Sequence, residues 1–209
     1  MKTVVQTAII GALLASSAPA FAAGNGADFW SAENWQFRLR AIDVSPSVES
    51  TVNIGGTVDV DNAIVPEFDI THYFTPNISA ELILATSPHD VTYNNTTPLG
   101  DAMILPPTLT LQYHFTPDQK FSPYVGAGLN YSWFYGEDAA PGFTDLNLNG
   151  GLGYAAQVGF DYWLNNNWGV NLDVKRIWLN VDATLNNGAI QADVDLDPWV
   201  VGAGVSYRF

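Results

Sequence analysis

Residues 199–209 read WVVGAGVSYRF, and two kinds of side chain alternate along them. Every second residue is apolar or aromatic: Trp199, Val201, Ala203, Val205, Tyr207 and Phe209. The residues between them are mostly small or polar, and a period of two is typical of a β-strand with one apolar face. Because this face continues to the last aromatic residue, it favours a lipid-facing strand of a transmembrane barrel. A soluble sandwich, in contrast, usually ends in polar, frayed residues.

The first 22 residues have the pattern of a secretory signal peptide. Lys2 precedes an apolar run from Ala8 to Leu14, and Ala20 and Ala22 form a small-x-small cleavage pattern. An amino-terminal membrane anchor is the alternative, but the run is well short of the ~20 residues that a spanning helix needs. We therefore predict that residues 1–22 are removed and that residues 23–209 form one outer-membrane β-barrel.

The amino-acid composition limits the classes of partner and of reaction that are open to this protein. The formal net charge is −14, with only 7 Lys and Arg among 209 residues, which excludes a nucleic-acid partner. There is no cysteine, so neither disulfides nor thiolate chemistry enters. The run Asp193-x-Asp195-x-Asp197 resembles a calcium loop only superficially, because it lacks the Gly at position six and the Glu at position twelve. We predict no metal site and no cofactor.

Eight segments carry the same alternation: residues 35–44, 64–74, 78–86, 108–115, 125–135, 152–164, 168–181 and 199–209. Three short connections rich in Pro, Asn and Asp alternate with four longer ones, residues 45–63, 87–105, 136–150 and 182–197. This arrangement predicts an all-β fold, an eight-stranded antiparallel transmembrane β-barrel with short periplasmic turns and four longer extracellular loops. Arg176 has the parity of a lipid-facing residue, so either it snorkels to the headgroups or a bulge shifts the phase there.

A soluble eight-stranded barrel would show the same alternation, with its apolar face turned inward to a ligand or core. Here the face opposite the aromatic residues carries many charged side chains, among them Arg38, Glu67 and Asp161. So many charges opposite so many aromatic residues favour the membrane barrel, with the charges inside.

Several stretches resemble the OmpW family of outer-membrane proteins. They are LPPTL (105–109), FSPYVGAGLNY (121–131), AAQVGFDY (155–162), and the ending formed by LDPWV (196–200) and SYRF (206–209). The resemblance covers essentially the whole chain after the leader and is weakest in 45–63 and 182–195. It implies an eight-stranded barrel with a narrow, partly apolar channel, associated with the uptake of small hydrophobic molecules.

Inward-facing charges form the first candidate site. By parity, this set comprises Arg38, Arg40, Glu67, Asp69, Glu81 and Arg208. Buried charges must pair or be neutralised, so we expect an Arg–carboxylate network that fills the lumen. The structural alternative is that the network only holds a small barrel shut. An eight-stranded barrel is just wide enough for its own side chains, so an open aqueous pore is not expected.

Three further sites are predicted. Ile83 faces the lumen next to Glu81 and fits the apolar channel constriction that the resemblance implies, with Ile177 or Leu179 joining near the upper rim. Lys175, on the seventh strand, is the second residue of this constriction, where the strand departs from an aromatic-lined pattern. Pro106 and Pro107 lack the N–H that a β-ladder needs, which suggests a lateral opening between the third and fourth strands. The alternative there is a simple loop-to-strand boundary. Tyr207 and Phe209 resemble the signal that the outer-membrane assembly machinery reads.

Catalysis is not expected. The three histidines are His72, His89 and His114, and the run from Ser87 through His89 to Asp90 is the one candidate for a catalytic group near the outer rim.

We predict a protein of the Gram-negative outer membrane that admits small, hydrophobic solutes passively, with lateral release near Pro106 and Pro107. Its partners are the lipid bilayer, lipopolysaccharide and the assembly machinery. The rival function is a structural anchor whose extracellular loops bind partners or the envelope.

Overall fold

The computed structural model describes residues 30–209, so the predicted signal peptide lies outside the described residues. No helix within 30–209 is long and apolar enough to cross a bilayer. The elements are a 3-10 turn (Ala32–Asn34), β1 (Trp35–Ser45), β2 (Glu49–Val52), β3 (Val58–Val60), β4 (Ala63–Tyr73), β5 (Ile78–Ala85), β6 (Ser87–Tyr93), β7 (Thr97–Leu105), β8 (Thr108–His114), β9 (Phe121–Tyr131), β10 (Trp133–Ala139), β11 (Leu146–Asn149), β12 (Leu152–Trp163), β13 (Trp168–Trp178), β14 (Asn180–Leu185), β15 (Ile190–Asp195) and β16 (Trp199–Arg208).

Eight of these strands close into an antiparallel barrel, in the order β1-β16-β13-β12-β9-β8-β5-β4, and β4 pairs with β1. The first and last strands form the closing seam, which runs from the pair Gln36–Arg208 to the pair Ser45–Trp199. Short connections join β4 to β5, β8 to β9 and β12 to β13. The predicted eight-stranded antiparallel barrel is therefore confirmed.

The two faces of each barrel strand differ as the alternation predicts. Along β16, Trp199, Val201 and Val205 are exposed, whereas Val200 and Ser206 are buried. Because the exposed side chains are the apolar ones, the outer surface suits hydrocarbon and the polar set lies inside.

Arg176 keeps its outward parity without a bulge. The β12–β13 register runs unbroken from Trp163–Gly169 to Tyr154–Trp178 and pairs Arg176 with Ala156. Its Nη2 lies 3.4 Å from Asp197 Oδ2, and its guanidinium lies 5.1 Å from the centre of the Trp199 ring. Of the two hypotheses, the structure therefore supports the snorkelling side chain.

The four long connections are not loops, as the sequence interpretation had them, but mostly strand. They build two four-stranded sheets above the barrel, β10-β7-β6-β3 and β11-β14-β15-β2. Val58 and Val91 from one sheet pack with Val52, Ala192 and Val194 from the other in a shared apolar cluster. Burial of this cluster between the facing sheets is the physical reason why these segments are ordered.

The sequence carries a signal for these hairpins that is independent of the apolar alternation. Asn94 and Asn95 at one tip, and Asn186 and Asn187 at another, all have φ between 51° and 54°. Asn tolerates the left-handed region that tight hairpin turns require. An Asn-Asn pair between two alternating runs therefore indicates a hairpin.

Gly204 lies at the closing seam, directly opposite Arg40 in β1 and Asn171 in β13. A Cβ added there would meet the Leu39 carbonyl oxygen and lie 2.6 Å from Arg40 Cα, both backbone atoms of the neighbouring strand. We expect Gly204→Ala to lower the free energy of unfolding by about 1–3 kcal/mol, because the ladder must distort to make room. Urea titration of the refolded protein in lipid measures this.

Gly151→Ala is the matched control, because a Cβ there would meet its nearest atom, Asn180 O, at an ordinary 3.8 Å. Equal stability of the two variants would contradict the steric explanation.

Candidate functional site

The lumen is divided into two levels. On β1 the inward side chains change from Arg38 and Arg40 to Ile42, and on β5 they change from Glu81 to Ile83. The same change from charged to apolar occurs on β4 and on β13. The periplasmic half of the lumen therefore holds charge, and the extracellular half is apolar.

The charges of the lower level form a charge plug of eight buried side chains: Arg38, Arg40, Glu67, Asp69, Glu81, Asp161, Asp173 and Lys175. Arg38 is at its centre. Its Nε and Nη2 donate to the two carboxylate oxygens of Asp161, at 3.2 and 2.7 Å. Its Nη1 donates to Thr71 Oγ1 at 2.8 Å and pairs with Glu81. The guanidinium is thus held bidentately by one carboxylate, the strongest geometry available to it.

Arg40 and Lys175 complete the charge plug. Arg40 Nε lies 2.7 Å from Glu67 Oε1, and its Nη2 lies 2.7 Å from Asp69 Oδ2. Lys175 Nζ donates to Glu67 Oε1 and Asp173 Oδ1, both at 3.0 Å. Lys175, the second residue of the predicted constriction, belongs to the charge plug and lies directly below the apolar level.

Uncharged side chains fill the space around these ions. Tyr124, His114, Gln36 and Gln112 are among the largest fully buried side chains of the described chain. Tyr124 donates its hydroxyl to Asp173 Oδ2 at 2.8 Å, and Gln112 donates to Glu81 at 2.6 Å. The periplasmic half of the barrel is therefore packed, as expected for eight strands.

Arg208 does not join Arg38 and Arg40, and its predicted place in the network is wrong. The register pairs Arg208 with Gln36, one inward step closer to the periplasm than Arg38. There its Nε donates to Asn166 O at 2.9 Å, and its guanidinium lies 4.0 Å from the centre of the Trp163 ring. The nearby turn therefore provides the hydrogen-bond acceptor for Arg208. Asp161 and Asp173, in contrast, supply carboxylates to the charge plug for which the sequence predicted no partner.

An apolar chamber lies above the charge plug. It has about 1080 Å³ of space not filled by protein atoms, part of it open to solvent. Glu67, Lys175 and Ile83, which is 3 % exposed, lie at its lower end. Its walls are mainly aliphatic and include Ile42, Val200, Ile104, Ile177, Leu179 and Val181. A second apolar cavity of about 840 Å³ lies between the two extracellular sheets and shares Val58, Val91 and Ala183 with the chamber.

The wall of the chamber has a strand interruption at Pro106 and Pro107. Pairing between β5 and β8 ends at Ile83–Thr108, and pairing between β6 and β7 begins at Ser87–Ile104. Three residues on each side, 84–86 and 105–107, lie between these pairs. The two prolines cannot donate to the ladder, and Pro106 lines the chamber at this point.

Two side chains on the barrel interior satisfy the Pro106 carbonyl at this interruption, and a backbone N–H of β9 satisfies that of Pro107. Asn130 Nδ2 donates to Pro106 O at 3.1 Å, and Thr108 Oγ1 donates to the same oxygen at 3.0 Å. The Tyr131 N–H donates to Pro107 O at 3.0 Å. The carbonyls of the two prolines therefore avoid the penalty that an unpaired carbonyl would incur next to lipid.

Ser87 and His89, considered above as catalytic candidates, lie on the same face of β6 and line the chamber. Ser87 Oγ lies 2.9 Å from His89 Nε2, and His89 Nδ1 lies 2.7 Å from Asp61 O. Asp90 lies on the other, exposed face, so the third partner is a backbone carbonyl and not a carboxylate. Burial lowers the pKa of His89, which favours a neutral imidazole.

The terminal aromatic residues lie at the periplasmic rim. Phe209 makes edge contacts with Tyr207 and Phe37, at ring-centre distances of 5.0 and 5.9 Å. Tyr207 makes a similar contact with Trp168 at 4.8 Å. These rings form part of an aromatic girdle at the level where such barrels meet the membrane interface.

A closed barrel with an apolar exterior, an aromatic girdle and a lumen of packed charge defines a small outer-membrane β-barrel protein. The OmpW family model matches residues 32–209, and the chain belongs to the OmpW family. It is 36% identical to outer membrane protein W of Escherichia coli (strain K12), covering 100% of this chain and 99% of that protein. It is 44% identical to the uncharacterized outer-membrane protein y4mB of Sinorhizobium fredii, covering 84% of this chain and 80% of that protein.

A solved structure of another outer-membrane protein has a similar fold. The crystal structure of the outer membrane protein OprG from Pseudomonas aeruginosa matches with a TM-score of 0.77 and 30% identity, covering 84% of this chain and 95% of that one. The protein is therefore located in the cell outer membrane, where its barrel sits in the lipid bilayer.

Proposed function

We propose that this protein passively admits small apolar molecules through its extracellular chamber and releases them sideways at the strand interruption. The observation that carries the proposal is the aliphatic lining of the chamber, which opens to solvent above and ends below on a packed plug of charges. An aliphatic wall favours apolar solutes, because binding removes their apolar surface from water and displaces no water that is hydrogen-bonded to the wall. The proposed role is a conduit and not an enzyme.

The charge plug makes a straight route to the periplasm unfavourable. A solute moving past Ile83 would have to separate Arg40 from Glu67 and Arg38 from Asp161. Breaking buried ion pairs without replacing the lost partners is expensive, and an apolar solute brings no hydrogen-bonding groups. The solute therefore needs an exit above the charge plug.

The strand interruption lies just above the charge plug, where such an exit is needed. It adjoins Ile83, at the chamber floor, and both Ala85 and Pro106 line the chamber. On the outer face, the Tyr135 hydroxyl hydrogen-bonds Thr86 Oγ1 across this segment. Breaking one such exposed bond costs only about 0.5–1.5 kcal/mol, which is compatible with passage into the outer leaflet, beside lipopolysaccharide.

A reversible staple across the strand interruption tests the exit. Ala85 and Pro106 are equivalent positions in the register that Ile83–Thr108 and Ser87–Ile104 share on either side of the interruption, so cysteines at these two positions are the pair to test for a crosslink across it, with its formation checked by non-reducing gel mobility. The described chain has no other cysteine. In cells producing Ala85→Cys/Pro106→Cys, we expect naphthalene uptake under oxidising conditions to fall to the rate of a deletion strain. A reductant should restore it.

Leu82→Cys/Leu109→Cys is the matched control, because it staples the same two strands where they are already paired. Unchanged uptake in the oxidised Ala85/Pro106 variant would rule out the lateral exit. If deletion of the whole protein leaves naphthalene uptake unchanged, the anchor function is the correct one.

A further inference from the structure

Above its floor of Glu67 and Lys175, the chamber wall contains a polar region that borders the strand interruption. We call it the acceptor strip; its members are Ser87, His89, Thr108, Asn130 and Ser132, all of which line the chamber. The wall across the lumen is aliphatic, with Ile42, Val200, Ile177, Leu179 and Val181. Polar groups confined to one side of an apolar cavity fix the orientation of a ligand and select its head group.

The hydrogen bonds of Asn130 fix the donors on one side of this strip. Its Nδ2 faces Pro106 O, which can only accept, so the amide orientation is unambiguous. The same Nδ2 donates its second hydrogen to Thr108 Oγ1 at 2.8 Å. Asn130 Oδ1 then accepts from Ser132 Oγ at 2.9 Å, while Thr108 donates to Pro106 O. Every side-chain hydrogen of these three groups is used.

The same reasoning applies across the strand interruption. His89 Nδ1 faces the Asp61 carbonyl, which can only accept, so Nδ1 carries the hydrogen. In the neutral ring, Nε2 is then an acceptor, and Ser87 donates its hydroxyl hydrogen to it. The polar hydrogens of Ser87 and His89 are therefore used as well.

What remains for a ligand is a set of lone pairs on the hydroxyl oxygens of Ser87, Thr108 and Ser132. We propose that the acceptor strip selects apolar molecules that carry a hydrogen-bond donor, namely neutral alcohols and phenols, over their ethers, ketones and carboxylates. An ether or carbonyl oxygen would face other acceptors and lose its water without compensation. This inference rests on the proposed function and names its substrate class.

The charge plug discriminates further against acids. Its three cations, Arg38, Arg40 and Lys175, are outnumbered by five carboxylates: Glu67, Asp69, Glu81, Asp161 and Asp173. A carboxylate ligand at the chamber floor would meet Glu67 beside Lys175, with the excess of carboxylates lying below these two residues; like charges in a medium of low dielectric constant repel strongly.

Binding of three naphthalene derivatives tests the selectivity. The full chain without its leader is placed in lipid nanodiscs, and dissociation constants are measured for 2-naphthol, 2-methoxynaphthalene and 2-naphthoate. We expect 2-naphthol to bind about 3- to 10-fold more tightly than 2-methoxynaphthalene, the worth of one net hydrogen bond, and 2-naphthoate to bind least. Empty nanodiscs correct for partition into lipid.

Thr108→Val provides the decisive variant. Valine keeps the shape of threonine but removes Oγ1, which frees one N–H of Asn130 and turns this part of the strip into a donor. We expect the preference to shift from 2-naphthol towards 2-methoxynaphthalene. Thr110→Val is the matched control, because Thr110 is equally buried on the same strand and bonds Gln157 below the chamber.

The outcomes separate the two proposals. Equal affinities for the naphthol and its ether, or a preference that Thr108→Val leaves unchanged, would overturn the inference about alcohols while the conduit remains. If none of the derivatives binds above the empty nanodisc, the proposed conduit itself fails.

Discussion

Replacing Arg38 with methionine is expected to lower the free energy of unfolding by about 3–5 kcal/mol, the cost of leaving a buried charge without its partner. Methionine retains much of the aliphatic stem and removes the guanidinium. Asp161 then loses the bidentate contact to Nε and Nη2, and Glu81 loses the pairing to Nη1. Both carboxylates are fully buried, so water cannot replace these bonds without reorganising the lumen.

Urea unfolding of the refolded protein in lipid measures this loss, and Arg176→Met is the matched control. Arg176 makes one ion pair, 3.4 Å long, with Asp197 at a partly exposed site, besides its contact with the Trp199 ring. Such pairs are worth at most about 1 kcal/mol. Arg38→Met/Asp161→Asn should be less destabilised than the sum of its single changes, because the unpaired charge is then absent. An Arg38→Met variant as stable as Arg176→Met would contradict the role given to the charge plug.

Replacing Phe209 with alanine is expected to deplete the protein from the outer membrane while leaving the purified barrel stable. We propose that the assembly machinery reads Tyr207 and Phe209. The Phe209 ring is 52 % exposed and contacts only the edges of Tyr207 and Phe37 among the ring contacts described. Its removal should therefore cost no more than about 1.5 kcal/mol of folding free energy.

Phe115→Ala separates recognition from packing. Phe115 is 53 % exposed and makes the same kind of edge contact, with Tyr113 at 5.2 Å. Membrane levels are compared by immunoblot of outer-membrane fractions, and stability by urea titration of refolded protein. Equal membrane levels of the Phe209→Ala and Phe115→Ala variants would show that the terminal ring carries no special signal.

The periodicity of the sequence predicted the barrel well because each strand obeys a rule that acts within the strand. Side chains alternate with a period of two whatever the strand pairs with, so Arg38 and Glu81 were placed in the lumen without any knowledge of their neighbours. Arg176 seemed to break the rule, and the structure shows that Asp197 and Trp199 accommodate it on the outside. Alternation alone does not predict the extracellular hairpins, because their tight turns depend on Asn-Asn pairs and not on the apolar period.

The candidate site was only partly predictable. Parity placed Arg208 inside with Arg38, but it could not say that Arg208 lies one step nearer the periplasm, at the rim. Ser87 and His89 were treated as loop residues, and their hydrogen bond on the chamber wall follows from the strand that the loop turned out to be. The two prolines can be singled out from the sequence alone, since the missing N–H is a property of the residue itself; that they mark a lateral exit stays a prediction.

The sequence by itself therefore determined the number of barrel strands, the side that meets lipid and the set of charges turned inward. Only the tertiary structure decided which of these charges meet, and where the lumen changes from charged to apolar. Arg38 and Asp161 are 123 residues apart in the chain, and Lys175 and Glu67 are 108 apart. The physical reason is that alternation fixes a side chain's direction, whereas its height in the barrel depends on the register between strands, which only pairing around the closed ring sets.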